Sequence, residues 1–279
     1  MLATKITLFL PSGDSQGFRT AQIGSWSGLA LACPRSKIEE LLARDEIDKA
    51  GIYFLTGRAN GYAKPSAYIG EAEDVGKRLR NHRDKDFWVQ AIVFVGKDDL
   101  WTKSHFRFVE GELIEEAKEI GTFTLVNDKP SGAKLSEADR VEMQDFMARI
   151  RQLLPILGCN LLVPIEHSQV EQSLICKIKE LSARGQRTAN GFVVYQGSEA
   201  AGTLRNSAQT RGGWIIKIRN RLLESKILVE ESDHLVFAKD YEFDSPSAAA
   251  AIIRGGNANG LTEWRNADGK TLKVIEGLE

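Results

Sequence analysis

Two short apolar runs, 51–56 and 66–71, carry Gly51-Ile52-Tyr53 and Tyr68-Ile69-Gly70, and the basic stretch Lys77-Arg78-Leu79-Arg80-Asn81-His82 follows almost at once. This order of pieces constrains the fold more than any other feature. The residues between the runs include Gly57, Asn60-Gly61 and Pro65, turn formers of the kind that join antiparallel strands, so a β-hairpin is expected. Asp74 can cap a helix running to about residue 84. Arg78 and His82 are then spaced i, i+4 and leave one helix face. A tyrosine on each of two paired strands, with these two side chains beyond, can converge on one point, and such a point suits a phosphate.

Upstream, residues 4–10, 18–24 and 28–33 read as strands around a Gly/Ser/Asp turn at 12–17, giving a β-rich lead-in over 1–50. Its helix begins after Pro34, with Ser36 as cap and Glu39 completing a capping box. Downstream, Trp88 to Val95 reads as a buried strand, 103–120 as a helix ended by Gly121, and 122–126 as a short strand. Ser136 opens a further helix that Pro155 stops. Residues 156–190 are expected to form a helical connector, with one helix over about 167–183. Residues 191–279 read as a small α+β accessory domain: a strand at 191–196, a helix at 210–225, a hairpin at 226–238, a helix opened by Ser245-Pro246-Ser247, and a last strand after Asp268-Gly269. The expected class is α/β (α+β), with a domain at 51–155 built on a small antiparallel three-stranded sheet flanked by helices.

Composition narrows the partners. A formal net charge of −1 excludes a polycation that coats nucleic acid through bulk charge, so local clusters must carry any such role. Residues 77–85 hold Lys77, Arg78, Arg80, Arg83 and Lys85 against Asp84 alone, and 201–228 hold Arg205, Arg211, Lys217, Arg219, Arg221 and Lys226 against Glu224. Either cluster alone reads equally well as a solvated helix face; together they favour a polyanion. The cysteines, Cys33, Cys159 and Cys176, are far apart and in no CxxC pattern, which suggests neither a disulfide framework nor a zinc cluster and fits a cytoplasmic protein. No run is long enough to span a membrane, and the N-terminal alternation reads as a strand rather than a signal peptide.

Hydrolysing a phosphodiester requires a nucleophilic water, positive charge on the non-bridging oxygens, and stabilisation of the leaving oxygen. Arg78 offers a planar fork for the phosphate, and the hydroxyls of Tyr53 and Tyr68 can flank it. In the helix at 103–120 the stripe Phe106, Val109, Leu113, Ala117 and Ile120 marks the core side, and Glu110 stands at its edge. A carboxylate there needs a metal, a salt bridge or a cap. One carboxylate supplemented by water and phosphate oxygens is the pattern expected for Mg²⁺ or Mn²⁺.

These pieces, with Asn127 in "TLVND", resemble the ordered motifs of the GIY-YIG nuclease superfamily over about residues 50–130. The resemblance implies a single-metal endonuclease acting on DNA. Arg78 would bind the scissile phosphate, Glu110 the divalent cation, Tyr53 or Tyr68 would orient or deprotonate water, His82 would assist through hydrogen bonds, and Asn127 would support the site. It also implies one cut per site, so double-strand cleavage needs a homodimer or two events. Two features depart from the pattern: the loop at 54–67 is longer than usual, and Glu71 stands where many relatives carry a lysine or a small polar residue.

The C-terminal part, with "SPSAAAAII" and "NANGLTEWRNADGKTL", resembles the uncharacterised domain appended to such nucleases and the RAMA-type modules of restriction and methylation proteins. DNA contact is expected there through Arg205, Arg211, Lys217, Arg219 and Arg221, and in the first domain through Lys77 and Arg80. Each residue has a plainer reading: tyrosines on strands pack, a histidine on a basic helix is solvated, and an asparagine beside Asp128 makes a turn. The whole set also fits a catalytically silent DNA-binding or regulatory protein, or a protein-interaction module.

Overall fold

The structure is a computed structural model and describes residues 3–24, 26–57, 64–98, 100–127, 129, 132–164, 173–189, 191–205, 208 and 213–278. Arg211, His167, Asp128, the Asn60-Gly61 turn and the stretch 165–172 lie outside the described residues. The chain divides into two compact α+β units, one ending at Pro164 and one beginning just after it. Among the described residues no helix is long and apolar enough to cross a membrane.

The first unit is organised by one seven-stranded sheet in the order β1-β2-β3-β6-β4-β5-β7. Its strands are β1 (Ile6–Phe9), β2 (Arg19–Ile23), β3 (Gly28–Pro34), β4 (Gly51–Thr56), β5 (Ser66–Ala72), β6 (Gln90–Gly96) and β7 (Thr124–Leu125). All neighbours are antiparallel except β5 and β7. The three antiparallel strands expected for 51–155 are therefore present as β6-β4-β5. They are not a small separate sheet: the lead-in continues them, β3 pairing with β6 from Gly28↔Gly96 to Pro34↔Gln90.

Period-two alternation sends β4 into two cores. Ile52 and Phe54 pack on one face with Phe106, Val109 and Leu113 of α3 (Lys103–Ile120) and with Met143, Phe146 and Ile150 of α4 (Glu137–Ile156). Tyr53 and Leu55 pack on the other face with Leu41 of α1 (Ile38–Leu42) and with Val75 and Leu79 of α2 (Val75–Arg80). Several boundaries follow local chemistry. Asp74 accepts from the Lys77 amide at 2.8 Å, Ser136 from the Asp139 amide at 3.2 Å, and Gly121 ends α3 at φ 66°. Three local expectations fail. Ser36 does not cap: α1 is entered through a 3₁₀ turn, Arg35–Lys37, with no side-chain cap. Pro155 lies within the last turn of α4 rather than before its end. The helix α2 stops at Arg80, so His82 sits in the hydrogen-bonded turn that follows, its amide donating to Leu79 O at 2.9 Å.

In the second unit, β8 (Leu174–Ile178) and β9 (Leu181–Arg187) form a hairpin where a helix is expected over 167–183. Leu174 and Cys176 alternate into the core, and Lys179 makes the turn at φ 52°. The hairpin joins β10 (Phe192–Val194) and β14 (Tyr241–Phe243) in the order β14-β10-β9-β8, while β11 (Glu199–Ala201), β12 (Leu228–Glu231) and β13 (His234–Phe237) form a second sheet. The helices are α5 (Gly213–Glu224), α6 (Pro246–Arg254), capped by Ser245, α7 (Gly260–Glu263) and α8 (Leu272–Ile275). α8 replaces the expected last strand, because the Thr271 hydroxyl accepts from the Val274 amide and starts a helix instead. Trp264 is buried against Phe192, with ring centroids 4.4 Å apart, and donates to Pro246 O.

Candidate active site

Adjacent strands bring the two tyrosines side by side: β4 pairs with β5 in the register Tyr53↔Gly70 and Leu55↔Tyr68. The rings stack at 5.9 Å between centroids. Gly70 makes this approach possible, since a Cβ there would lie 2.4 Å from the Cζ and hydroxyl of Tyr53. Tyr53 is fully buried, and its hydroxyl is the meeting point of the cluster. His82 Nε2 lies 3.0 Å from it and Arg78 Nε donates to it at 3.3 Å. Tyr68 stands edge-on to His82 at 4.9 Å, with the Lys85 ammonium 5.7 Å from its ring centroid. Four of the expected residues thus meet on the α2 face of the sheet.

The electrostatics follow from burial. His82 is only 2% exposed, and desolvation, with the charges of Lys85 and Arg78, lowers it to about 4, so it is neutral at pH 7. Its Nδ1 is buried without a hydrogen-bond partner. Tyr53 is raised well above the usual phenol range, first by burial and then by Tyr68. Arg78 is held firmly charged by its hydrogen bond to Tyr53, and it is itself exposed. A buried phenol between a guanidinium and a neutral imidazole does not ionise freely. It can pass a proton from one side to the other.

His82 is held from outside the motif. The Trp88 indole donates to its carbonyl at 3.0 Å, and Arg35 lies over the Trp88 ring at 4.6 Å. Arg35 also donates to the carbonyls of Arg83, Lys85 and Trp88. Neither Trp88 nor Arg35 stands out as a site residue in the sequence, because the contact that joins them is nonlocal.

Glu110 belongs to the other face. It is 8% exposed on α3, and its Oε1 accepts from the Glu71 amide at 3.2 Å. On β5 the alternation that turns Tyr68 to α2 turns Ile69 and Glu71 to α3, so Glu71 and Glu110 lie together at the strand's end. Burial and then the nearby Glu110 raise Glu71, against the pull of Lys103, Arg107 and Arg78. The Arg78 charge acting on Glu71 links the two faces. Among the described residues there is no group of three or more His, Cys, Asp or Glu side chains placed to hold a metal.

Asn127 supports the neighbouring strand through its side-chain amide. Its Oδ1 accepts from the Ile69 amide at 3.2 Å and its Nδ2 donates to Ile69 O at 2.6 Å. The amide side chain thereby extends the β5–β7 ladder by one step and fixes the strand that carries Tyr68 and Glu71.

The basic residues divide. Lys77 and Arg80 are exposed on α2, although Lys77 pairs with Asp74 and Arg80 donates to Leu42 O. Arg205 and Lys217 are exposed and Arg221 is half-buried. Arg219 corrects the expectation of a DNA contact: it is 4% exposed, and its Nε donates to Ile252 O at 3.0 Å, closing the C-terminal end of α6. Burial lowers it to about 10. Its spacing with Ile215, Ile218 and Leu222 is the signal of a core position.

Residues 174–276 match a family model described as a domain of unknown function, DUF4357. The match begins at β8, so it takes in the hairpin that precedes the accessory domain expected from 191. No curated protein and no solved structure matches the chain.

Proposed function

We propose that the first unit hydrolyses DNA phosphodiester bonds with a divalent cation, Mg²⁺ or Mn²⁺. The observation that carries this reading is the Tyr53 hydroxyl held at once by Arg78 and by a neutral His82; Glu110, on the α3 face against the Glu71 amide, joins it through the resemblance. The buried, unpartnered Oε2 of Glu71 beside Glu110 is the local sign that the carboxylates suit a cation. Glu110 would hold the cation, which would supply positive charge to the phosphate oxygens.

The remaining chemistry belongs to the protein. Arg78 keeps Nε on Tyr53 while its exposed guanidinium grips the phosphate. Water attacks phosphorus and gives its proton to the Tyr53 oxygen as the phenol proton passes to His82 Nε2, while the opposite P–O ester bond breaks; the leaving oxygen takes a proton from solvent, and His82 later returns its proton to solvent. This requires His82 neutral, with Nδ1 carrying the ring proton. Tyr68 is the other residue able to orient the water. One such site cuts one strand, so a double-strand break takes two copies or two events. In the second unit, Arg205, Lys217 and Arg221 are the cations available to hold DNA.

Glu110→Ala and Arg78→Ala should each abolish Mg²⁺-dependent nicking of plasmid DNA with the circular dichroism spectrum unchanged. Undiminished cleavage by either variant sinks the reading. A silent DNA-binding protein is the second reading, favoured by the small acidic ligand set among the described residues. It predicts binding without cleavage under every metal condition.

A further inference from the structure

We infer that Arg35 and Trp88 are positioning residues for the proton transfer: together they fix the backbone at His82, and through it the imidazole against the Tyr53 hydroxyl. The inference rests on the phosphodiesterase reading above and adds two residues which that reading does not use, one of them from the lead-in.

The need for such a hold lies in the ring. A histidine that works through one ring nitrogen is ordinarily oriented by a hydrogen bond at the other. His82 Nε2 meets the Tyr53 hydroxyl at 3.0 Å, but Nδ1 is buried with no partner, so the ring takes its place from its backbone and its packing. That backbone lies beyond the end of α2, where the His82 amide donates to Leu79 O at 2.9 Å. The His82 carbonyl is held by the Trp88 indole at 3.0 Å and by the Lys85 amide at 3.2 Å. Trp88 is itself 1% exposed and packs in one core with Tyr53 and Leu79, which keeps the donor in place.

Arg35 closes the stretch 81–89 from the other side. β3 pairs with β6 as far as Pro34↔Gln90, and the next amide, that of Arg35, donates to Val89 O at 2.7 Å. From there the guanidinium lies 4.6 Å from the Trp88 ring centroid and donates to Arg83 O at 2.6 Å, to Trp88 O at 3.2 Å and to Lys85 O. A planar fork can stack on an aromatic ring while it spans several acceptors, which an ammonium cannot do. Misplacing a reacting group by about 1 Å costs on the order of a hundredfold in rate, and this clamp governs that displacement at His82.

The test uses the full chain and reads kcat and KM for Mg²⁺-dependent nicking beside the ring nitrogen NMR resonances of His82 at pH 7. Arg35→Ala releases the three carbonyls, whereas Trp88→Phe keeps an aromatic ring under Arg35 and removes the donor to His82 O. We expect each to lower kcat by about tenfold to a hundredfold, with KM for DNA within about twofold of wild type. Each should also move the Nε2 resonance from that of an unprotonated nitrogen toward the average of the two tautomers. The double variant should fall no further than the lower single one, because both act through the same carbonyl. Where wild type nicks, unmoved ring resonances in both variants overturn the positioning role, whether kcat is kept or lost, and leave the nuclease reading standing. A wild-type chain that does not nick, with the His82 ring moved in both variants, keeps the clamp and sinks the phosphodiesterase reading. No nicking and no movement of the ring sink both.

Discussion

The low proton affinity of His82 ties the stability of the first unit to pH. In the folded chain His82 titrates at about 4, whereas in the unfolded chain it should return to the ordinary value of 6.5. Between those values the unfolded state binds more protons, so stability rises with pH through the window and is full above 6.5. Falling pH removes it, and the loss is complete below 4. A difference of about 2.5 pK units at about 1.4 kcal/mol each sets an upper figure of about 3.5 kcal/mol. Urea unfolding of wild type and His82→Gln from pH 4 to 7.5, monitored by fluorescence, isolates this contribution as a difference in slope, because the carboxylates are common to both. The wild-type curve should climb more steeply by up to that amount. Parallel curves, or a His82 ring titrating near 6.5 by NMR, refute the reasoning and with it the neutral imidazole on which the proton transfer depends.

Two substitutions probe other contacts. Gly70→Ala brings a methyl group to 2.4 Å from the Tyr53 Cζ and hydroxyl. The ring must move off His82, and overpacking with a lost buried hydrogen bond should cost about 2–5 kcal/mol and most of the nicking activity. A wild-type melting curve and full activity would show that the close approach is not limiting. Arg219→Ala removes the donors on Ile252 O and should destabilise the second unit by about 2–4 kcal/mol. Calorimetry of the full chain checks this. The salt slope of DNA binding, measured where the unit stays folded, should not change, whereas a slope reduced by about one contact would place Arg219 on phosphate after all.

Local chemistry made part of this structure readable in advance. The caps at Asp74, Ser136 and Ser245, the Gly121 stop and the hairpin of β4 and β5 all depend on residues within a few positions of each other. Nonlocal choices were not readable. Nothing in 28–34 says that this strand will pair with 90–96, and the Arg35–Trp88–His82 chain exists only once it does. The hairpin at 174–187 escapes for another reason: its alternation is short, and a lysine rather than Gly or Asn takes the positive φ at the turn. The site divides similarly. Order and spacing pick out Tyr53, Tyr68, Arg78, His82 and Glu110, but the partnering of Glu71 with Glu110 needs the β5–α3 packing. Arg219 was legible from its place on the apolar stripe and is misread when charge is given precedence over spacing.

The ladder between β3 and β6 bears on how such a site can be inherited. Excising residues 51–164 would strip the paired strand from seven consecutive residues of β6, leaving a long, apolar, hydrogen-bonding edge open to other chains. It would also remove Arg35 and release the loop that carries the His82 carbonyl contact. The motif-bearing segment is therefore no portable cassette: recombination that joined it to a different N-terminal partner would have to supply both a strand in register and a guanidinium at the right end of it.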